Sequence, residues 1–182
     1  MSNGFEQIIS KSSKSTAEKV ALSAVMVALA MIFSYVEVLI PFNFGVPGIK
    51  LGLSNLVVMV ALYKLGAGHA FNINMVRIVL SGLLFGGVSG MIYSLAGGIL
   101  SLLVMLLLKT KGGFSMLGVS IGGGVSHNVG QLIAAICIVS NLNIAYYLPV
   151  LMIAGVITGA IIGMLSGKIL QAVDKEGKRN LN

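Results

Sequence analysis

Three ionisable residues lie inside long apolar stretches of the sequence: Glu37, Arg77 and His127. Such groups are costly at membrane depth and mark functional sites by default. Glu37 is the only acid between Lys19 and Asp174. It falls one turn before the end of the first apolar stretch, whereas Arg77 falls nearer the middle of the third. At the rise of an α-helix their depths differ by about 7 Å, within reach of an arginine side chain. Two readings stand together. The pair holds two helices to one another, or both side chains line a cavity. His127 and Asn128 sit in mid-stretch, with Gln131 one turn further on. No second His, Cys or acid stands at metal-ligand spacing, which excludes a zinc site. His127 reads either as a satisfied packing residue or, with Asn128, Gln131 and Arg77, as a ligand-orienting one.

The string from Pro41 to Lys50 joins two apolar stretches. It holds two of the three prolines, and the aromatics Phe42 and Phe44 flank Asn43. Proline and glycine favour a tight turn. The same composition suits a lid, with aromatics covering a ligand and Lys50 attracting an anion. Asn55 follows at the start of the next stretch, and Tyr93, Tyr146 and Tyr147 fall toward the same side, where tyrosines also form interfacial belts.

The elements that must position these residues are apolar helices. The chain has 182 residues, 57% of them hydrophobic and 9% charged, with a mean hydropathy of +1.00. Soluble domains carry about 25% charged residues, so both a soluble globular protein and a disordered one are excluded. The size suits one unit. The single cysteine, Cys137, leaves no intrachain disulfide. The sequence reads as an all-α integral membrane protein, a bundle of six transmembrane helices. A polar tail occupies residues 1–19 and the helical domain 20–170. The spans fall at about 20–40, 51–65, 70–85, 89–108, 116–140 and 147–170, with an outer loop at 41–50 and a second tail at 171–182. The second and third spans are shorter than the usual ~20 residues, which calls for tilt, a break or shielding inside the bundle. A five-span arrangement, with those two merged or one re-entrant, competes.

Charge sets the orientation. With the N-terminus inside, the inner side collects Lys11, Lys14, Lys19, Lys64, Lys109, Lys111, Lys168, Lys175, Lys178 and Arg179, against Lys50 alone outside. That bias places both termini in the cytoplasm and the protein in the cell membrane. The net charge of +7 thus reads as cytoplasmic loops facing anionic headgroups and not as a nucleic-acid surface.

Small residues recur at four-residue spacing. Gly155, Gly159, Gly163 and Gly167 line the last span, Gly118, Gly122, Ser126 and Gly130 the fifth, and Gly82, Gly86, Gly90, Ser94 and Gly98 run through the third-to-fourth turn. Residues four apart share a helix face, and small side chains there let backbones approach. These rows read as internal packing. The row Ala17, Ala21, Ala24 and Ala28, at the cytoplasmic end of the first helix, reads either as packing or as a dock for another membrane protein.

Enzymatic turnover is not expected. No phosphate-binding loop is present, since Gly163-Met-Leu-Ser-Gly167-Lys168-Ile169 has the wrong spacing and lacks the metal-binding hydroxyl. One aspartate in the whole chain, Asp174, cannot supply the carboxylates that hold Mg²⁺ on a diphosphate. No metal or other cofactor is implied.

Several strings together resemble a known family. They are Pro47-Gly-Ile-Lys-Leu-Gly-Leu-Ser-Asn-Leu56, Ala61-Leu-Tyr63, Arg77-Ile-Val-Leu80 with Gly82-Leu-Leu-Phe-Gly86, Ser94-Leu-Ala-Gly-Gly98, and Val125-Ser-His-Asn-Val-Gly-Gln131. They resemble the Gx transporter family, also catalogued as heptaprenyl diphosphate synthase component I, over about residues 20–170. That family looks like a relative of the substrate-binding S components of energy-coupling-factor (ECF) transporters. The resemblance implies six helices, a small molecule bound under the loop joining the first two, and a first-helix face meeting a transmembrane coupling subunit driven by separate ATPases. The expected ligand contacts are Glu37, Phe42, Asn43, Phe44, Lys50, Asn55, Arg77, Tyr93, His127, Asn128 and Gln131, and the expected ligand is anionic or electron-rich, with an aromatic or isoprenoid part. The enzyme name fits at most an accessory role, and the second functional expectation is a non-catalytic membrane subunit that scaffolds an enzyme of isoprenoid or quinone metabolism or of a membrane electron-transfer chain.

Overall fold

The computed structural model describes the backbone of residues 2–39 and 52–179 and the side chains of residues 16–39 and 52–175. The described residues are helical and without strands. Helix α1 runs Ser2–Leu39, α2 Asn55–Lys64, α3 Ala67–Ser81, α4 Gly87–Lys111, α5 Met116–Val139 and α6 Leu148–Arg179. Helix α1 begins at Ser2, so residues 2–19, expected as a tail, continue the first helix.

Among the described residues, four stretches are long and apolar enough to cross a membrane: Thr16–Leu39, Ala67–Lys111, Met116–Val139 and Leu142–Lys175. These make the chain a multi-pass membrane protein. The expected second span departs from this pattern. Helix α2 has 10 residues, too few to cross a bilayer, and Asn55 through Leu62 are all buried. A helix apolar on every side is a core helix, and α2 packs among Ala30 of α1, Ile73 of α3, Met105 of α4, Val119 of α5 and Ile162 of α6.

The stretch Ala67–Lys111 folds back on itself. Asn74 donates from Nδ2 to the carbonyl of Gly98 at 3.1 Å, although 24 residues of straight helix would separate them by about 36 Å. The reversal lies at Gly82–Gly86, a wide π-turn, and at Gly87 with φ +66°, where a side chain would be strained. Expected spans three and four are thus the two arms of a hairpin.

Helices α4, α5 and α6 meet backbone to backbone. A Cβ on Gly155 would stand 2.9 Å from the Gly124 carbonyl oxygen, and one on Gly159 would stand 2.7 Å from Ile121 Cα. The glycine row of the last span therefore packs inward as far as Gly163, against Leu117. Gly167 does not: the nearest atom to its Cβ position is Met116 Sδ at 3.9 Å.

Candidate functional site

At the end of the bundle where α1 finishes and α2 begins, buried polar side chains from four helices meet. Glu37 lies on the last turn of α1. Its Oε1 accepts from the Leu53 N–H at 2.7 Å, and its Oε2 lies 3.5 Å from the Ser54 hydroxyl. This joins α1 to the start of α2. Arg77, one turn before the end of α3, closes the arrangement. Its Nη1 donates to Ser54 Oγ at 2.5 Å, and its Nη2 donates to Asn55 Oδ1 at 3.1 Å and to Asn74 Oδ1 at 2.9 Å. Its Nε also donates to Asn74 Oδ1, at 3.2 Å. Asn74 stands one turn before Arg77 on the same helix face, and its amide reaches the Gly98 carbonyl of α4. Arg77 is 3% exposed and Glu37 9%.

Glu37 and Arg77 are thus joined through the Ser54 hydroxyl, which accepts a hydrogen bond from Arg77 and donates toward the Glu37 carboxylate. A buried guanidinium needs such a set of acceptors, because stripping it of water costs several kcal/mol that only well-aimed hydrogen bonds offset. The planar guanidinium makes four hydrogen bonds to three acceptors, on α3 and at the start of α2, from a rigid fork of five donors where an ammonium has three.

His127 and Gln131 adjoin this cluster. They stand one turn apart on α5, with the His127 Nε2 and Gln131 Nε2 atoms 2.5 Å apart. Both are buried. Gly52, at φ +83°, brings the backbone before α2 onto them. A Cβ there would stand 2.9 Å from Asn55 Nδ2 and 3.3 Å from His127 Cδ2. On the other side, a Cβ on Gly97 would stand 2.6 Å from the His127 carbonyl oxygen. Glu37, Ser54, Asn55, Asn74, Arg77, His127 and Gln131 thus share one neighbourhood, with Gly52 close to both Asn55 and His127.

Two expected ligand contacts lie elsewhere. Asn128 faces α6, where its Nδ2 donates to the Leu151 carbonyl at 2.8 Å. Its Oδ1 is buried and has no hydrogen-bond partner among the described residues. Tyr93 is buried in an apolar cluster with Leu132, Ala135, Ile144 and Leu151. Phe42, Asn43, Phe44 and Lys50 lie outside the described residues, as does the loop that carries them. Ala17, Ala21, Ala24 and Ala28 are all exposed, so no other part of the described chain covers that face of α1.

Sequence reasoning missed Ser54 and Asn74, each of which binds Arg77. The signal was positional: Asn74 precedes Arg77 by one helical turn, and Ser54 adjoins Asn55.

The opposite end of the bundle is fastened differently. Lys64 of α2 pairs with Asp174 of α6. Lys109 of α4 donates to the Leu62 carbonyl at 2.8 Å, with its ammonium 4.5 Å from the centre of the Tyr63 ring. Ser23 of α1 and His69 of α3 are hydrogen-bonded at 3.0 Å.

Compared with known families, residues 26–169 match the family described as heptaprenyl diphosphate synthase component I. No curated protein and no solved structure matches the chain.

Proposed function

We propose that this chain, which belongs to the heptaprenyl diphosphate synthase component I family, is a non-catalytic membrane subunit that captures a small molecule for uptake, in the manner of an ECF S component. On this reading six helices form the bundle, and the short α2 is shielded inside it. The Glu37 end faces outward and the Lys64 end faces the cytoplasm of the cell, as the lysine bias of the loops favours. Both termini are then cytoplasmic.

The observation that carries the reading is the buried cluster built on Arg77. Five of its residues come from α1, the start of α2 and α3, and they adjoin His127 and Gln131 of α5. Packing alone does not call for so many desolvated polar groups at one end of an apolar bundle. Arg77 already makes four hydrogen bonds, so its role is to position Asn55 and the α2 terminus. Asn55, Glu37, His127 and Gln131 then face the ligand, covered by Phe42, Asn43 and Phe44, with Lys50 as the cation for an anionic group. Tyr93 and Asn128 form the far wall. The ligand is small and anionic or electron-rich, with an aromatic or isoprenoid part. The exposed alanine face of α1 docks the transmembrane coupling subunit, whose ATPases drive release.

The family name favours a second reading, an accessory subunit in isoprenoid or quinone metabolism that scaffolds a catalytic partner. One experiment separates the two. The protein is purified in mild detergent and its small-molecule content read by mass spectrometry, for the native chain and for Gln131→Ala and Ala24→Leu. Uptake predicts a co-purifying molecule that Gln131→Ala loses at unchanged expression, while Ala24→Leu loses only the protein partner. A chain that carries no molecule, and whose melting temperature no added molecule shifts, belongs to the second reading.

A further inference from the structure

The Lys64 end of the bundle carries a feature that ligand capture does not use. Two adjoining hollows, of about 490 and 500 Å³, open along α6 beside the first residue of α5. They exist because the glycine row outruns the helix it packs against. Gly163 is closed off by Leu117, but Gly167 faces open space up to Met116 Sδ.

The lining changes character along its length. From Ile161 to Leu165 it is apolar, and it then becomes Lys168 and Gln171, with Lys64 and Asp174 across the mouth. Lys64 and Asp174 neutralise one another. Lys168 makes no hydrogen bond or ion pair among the described residues, and it is exposed. The furrow therefore has an apolar body and a net positive mouth.

Its chemistry selects the occupant. The apolar body suits a hydrocarbon chain, and Lys168 at the mouth, unpaired among the described residues, suits an anionic headgroup.

We infer that the furrow at Gly163 and Gly167 is a binding site for an anionic phospholipid, with its phosphate at Lys168 and Gln171 and one acyl chain along the glycines. The site goes beyond the ligand-capture reading and stands without it. A lipid held there covers the one part of the α6 glycine row that no helix covers, and it bridges α6 to the start of α5.

The test uses the full chain in dodecyl maltoside micelles doped with phosphatidylglycerol or with phosphatidylcholine, with inorganic phosphate in a parallel arm. Retained lipid is read by native mass spectrometry and stabilisation by thermal melting. Phosphatidylglycerol is expected to be retained and to raise the melting temperature, and phosphatidylcholine and phosphate are not. Lys168→Gln is expected to weaken retention about fivefold, the worth of one lysine beside an anionic headgroup. Gly167→Leu, which has room for its side chain, is expected to abolish retention while the protein stays monodisperse. Equal retention of the two lipids overturns the inference, as does unchanged phosphatidylglycerol retention in Lys168→Gln. Stabilisation by free phosphate alone, or phosphatidylglycerol excluded by a co-purifying protein seated on the furrow, also overturns it.

Discussion

Replacing Asn74 by leucine isolates what the buried guanidinium needs. The two side chains share their branching at Cγ, though leucine is larger, so the change removes polar atoms and adds an overpacking cost that a double-mutant cycle separates from the lost hydrogen bonds. Asn74 Oδ1 accepts two of the four hydrogen bonds that Arg77 makes, at 2.9 and 3.2 Å, and Asn74 Nδ2 donates to the Gly98 carbonyl at 3.1 Å. Hydrogen bonds between helices in a bilayer are worth about 0.6 kcal/mol on average. If all three were of that kind, the loss would total roughly 2 kcal/mol. Two of them, however, serve a charge that is 3% exposed, and hydrogen bonds to charged groups are worth about 1.5–3 kcal/mol each. With the third bond at about 0.6 kcal/mol, the expected loss is therefore about 4–7 kcal/mol, which at roughly 2–4 °C per kcal/mol for a chain of this size lowers the melting temperature by roughly 8–28 °C. The assay is thermal unfolding in detergent, run as a double-mutant cycle with Arg77→Leu. With the guanidinium gone, Asn74→Leu should cost about 1 kcal/mol or less, because only the bond to Gly98 remains. A loss under about 1 kcal/mol in the native background, or an equal loss in both backgrounds, refutes the assignment of Asn74 as the acceptor that keeps Arg77 buried.

Gly159→Ala places a Cβ 2.7 Å from Ile121 Cα and should cost about 1–3 kcal/mol by overpacking, whereas Gly68→Ala, which meets nothing within 4 Å, should stabilise by up to about 1 kcal/mol. Both are read from melting temperatures in the same detergent. Gly52→Ala combines a φ of +83° with a Cβ 2.9 Å from Asn55 Nδ2, so it should both destabilise the protein and reduce retention of any co-purifying molecule. Asp174→Asn breaks the ion pair with Lys64, whose side chains are 39% and 61% exposed. An exposed pair contributes under about 1 kcal/mol, so the melting curve should not move measurably.

Much of the fold was legible because the signals were large. Runs of apolar residues and the small residues between them locate α1, α4, α5 and α6, and the glycines at 155 and 159 do hold α5 against α6. Apolarity and length part company at α2. A core helix and a membrane helix look alike in hydropathy, and only burial distinguishes α2, whose 10 residues are apolar because protein surrounds them on every side. The hairpin of α3 and α4 was legible in its glycines, since Gly87 supplies the left-handed residue at which the chain reverses. In the site, charge made Glu37 and Arg77 conspicuous. Serine and asparagine are common at membrane depth and carry no such mark, so Ser54 and Asn74 surfaced only once distances existed. Asn128 shows the converse: it adjoins His127 in sequence, but successive helix positions point about 100° apart, which turns it toward Leu151 and away from the Arg77 cluster.

The two halves of the bundle are held together by different physics, and this bears on which helix can respond to a ligand. Helices α4, α5 and α6 approach until glycine backbones touch, an arrangement with no slack, because a small separation forfeits many dispersion contacts together. Helix α1 has no glycine seam. Exposed residues line its described length, among them Val20, Val25, Leu29 and Ile32, and its directed polar contacts to other helices include Glu37 on its last turn and Ser23 near its middle. The Glu37 contact joins α1 to the start of α2, and the Ser23 contact joins it to α3 within the same turn as Ala24. A ligand that competes for the Leu53 N–H or for Ser54 therefore acts on the fastening of α1 directly. It does so at the end opposite the alanine face, while the glycine-packed helices stay fixed as the frame. Spin labels at Ala21 on α1 and at Leu103 on α4, both exposed, read this as a change in distance between Glu37→Gln and the native chain. A pair placed at Leu103 and Val156 within the glycine-packed half should show none. An equal change in both pairs removes α1 as the responsive element.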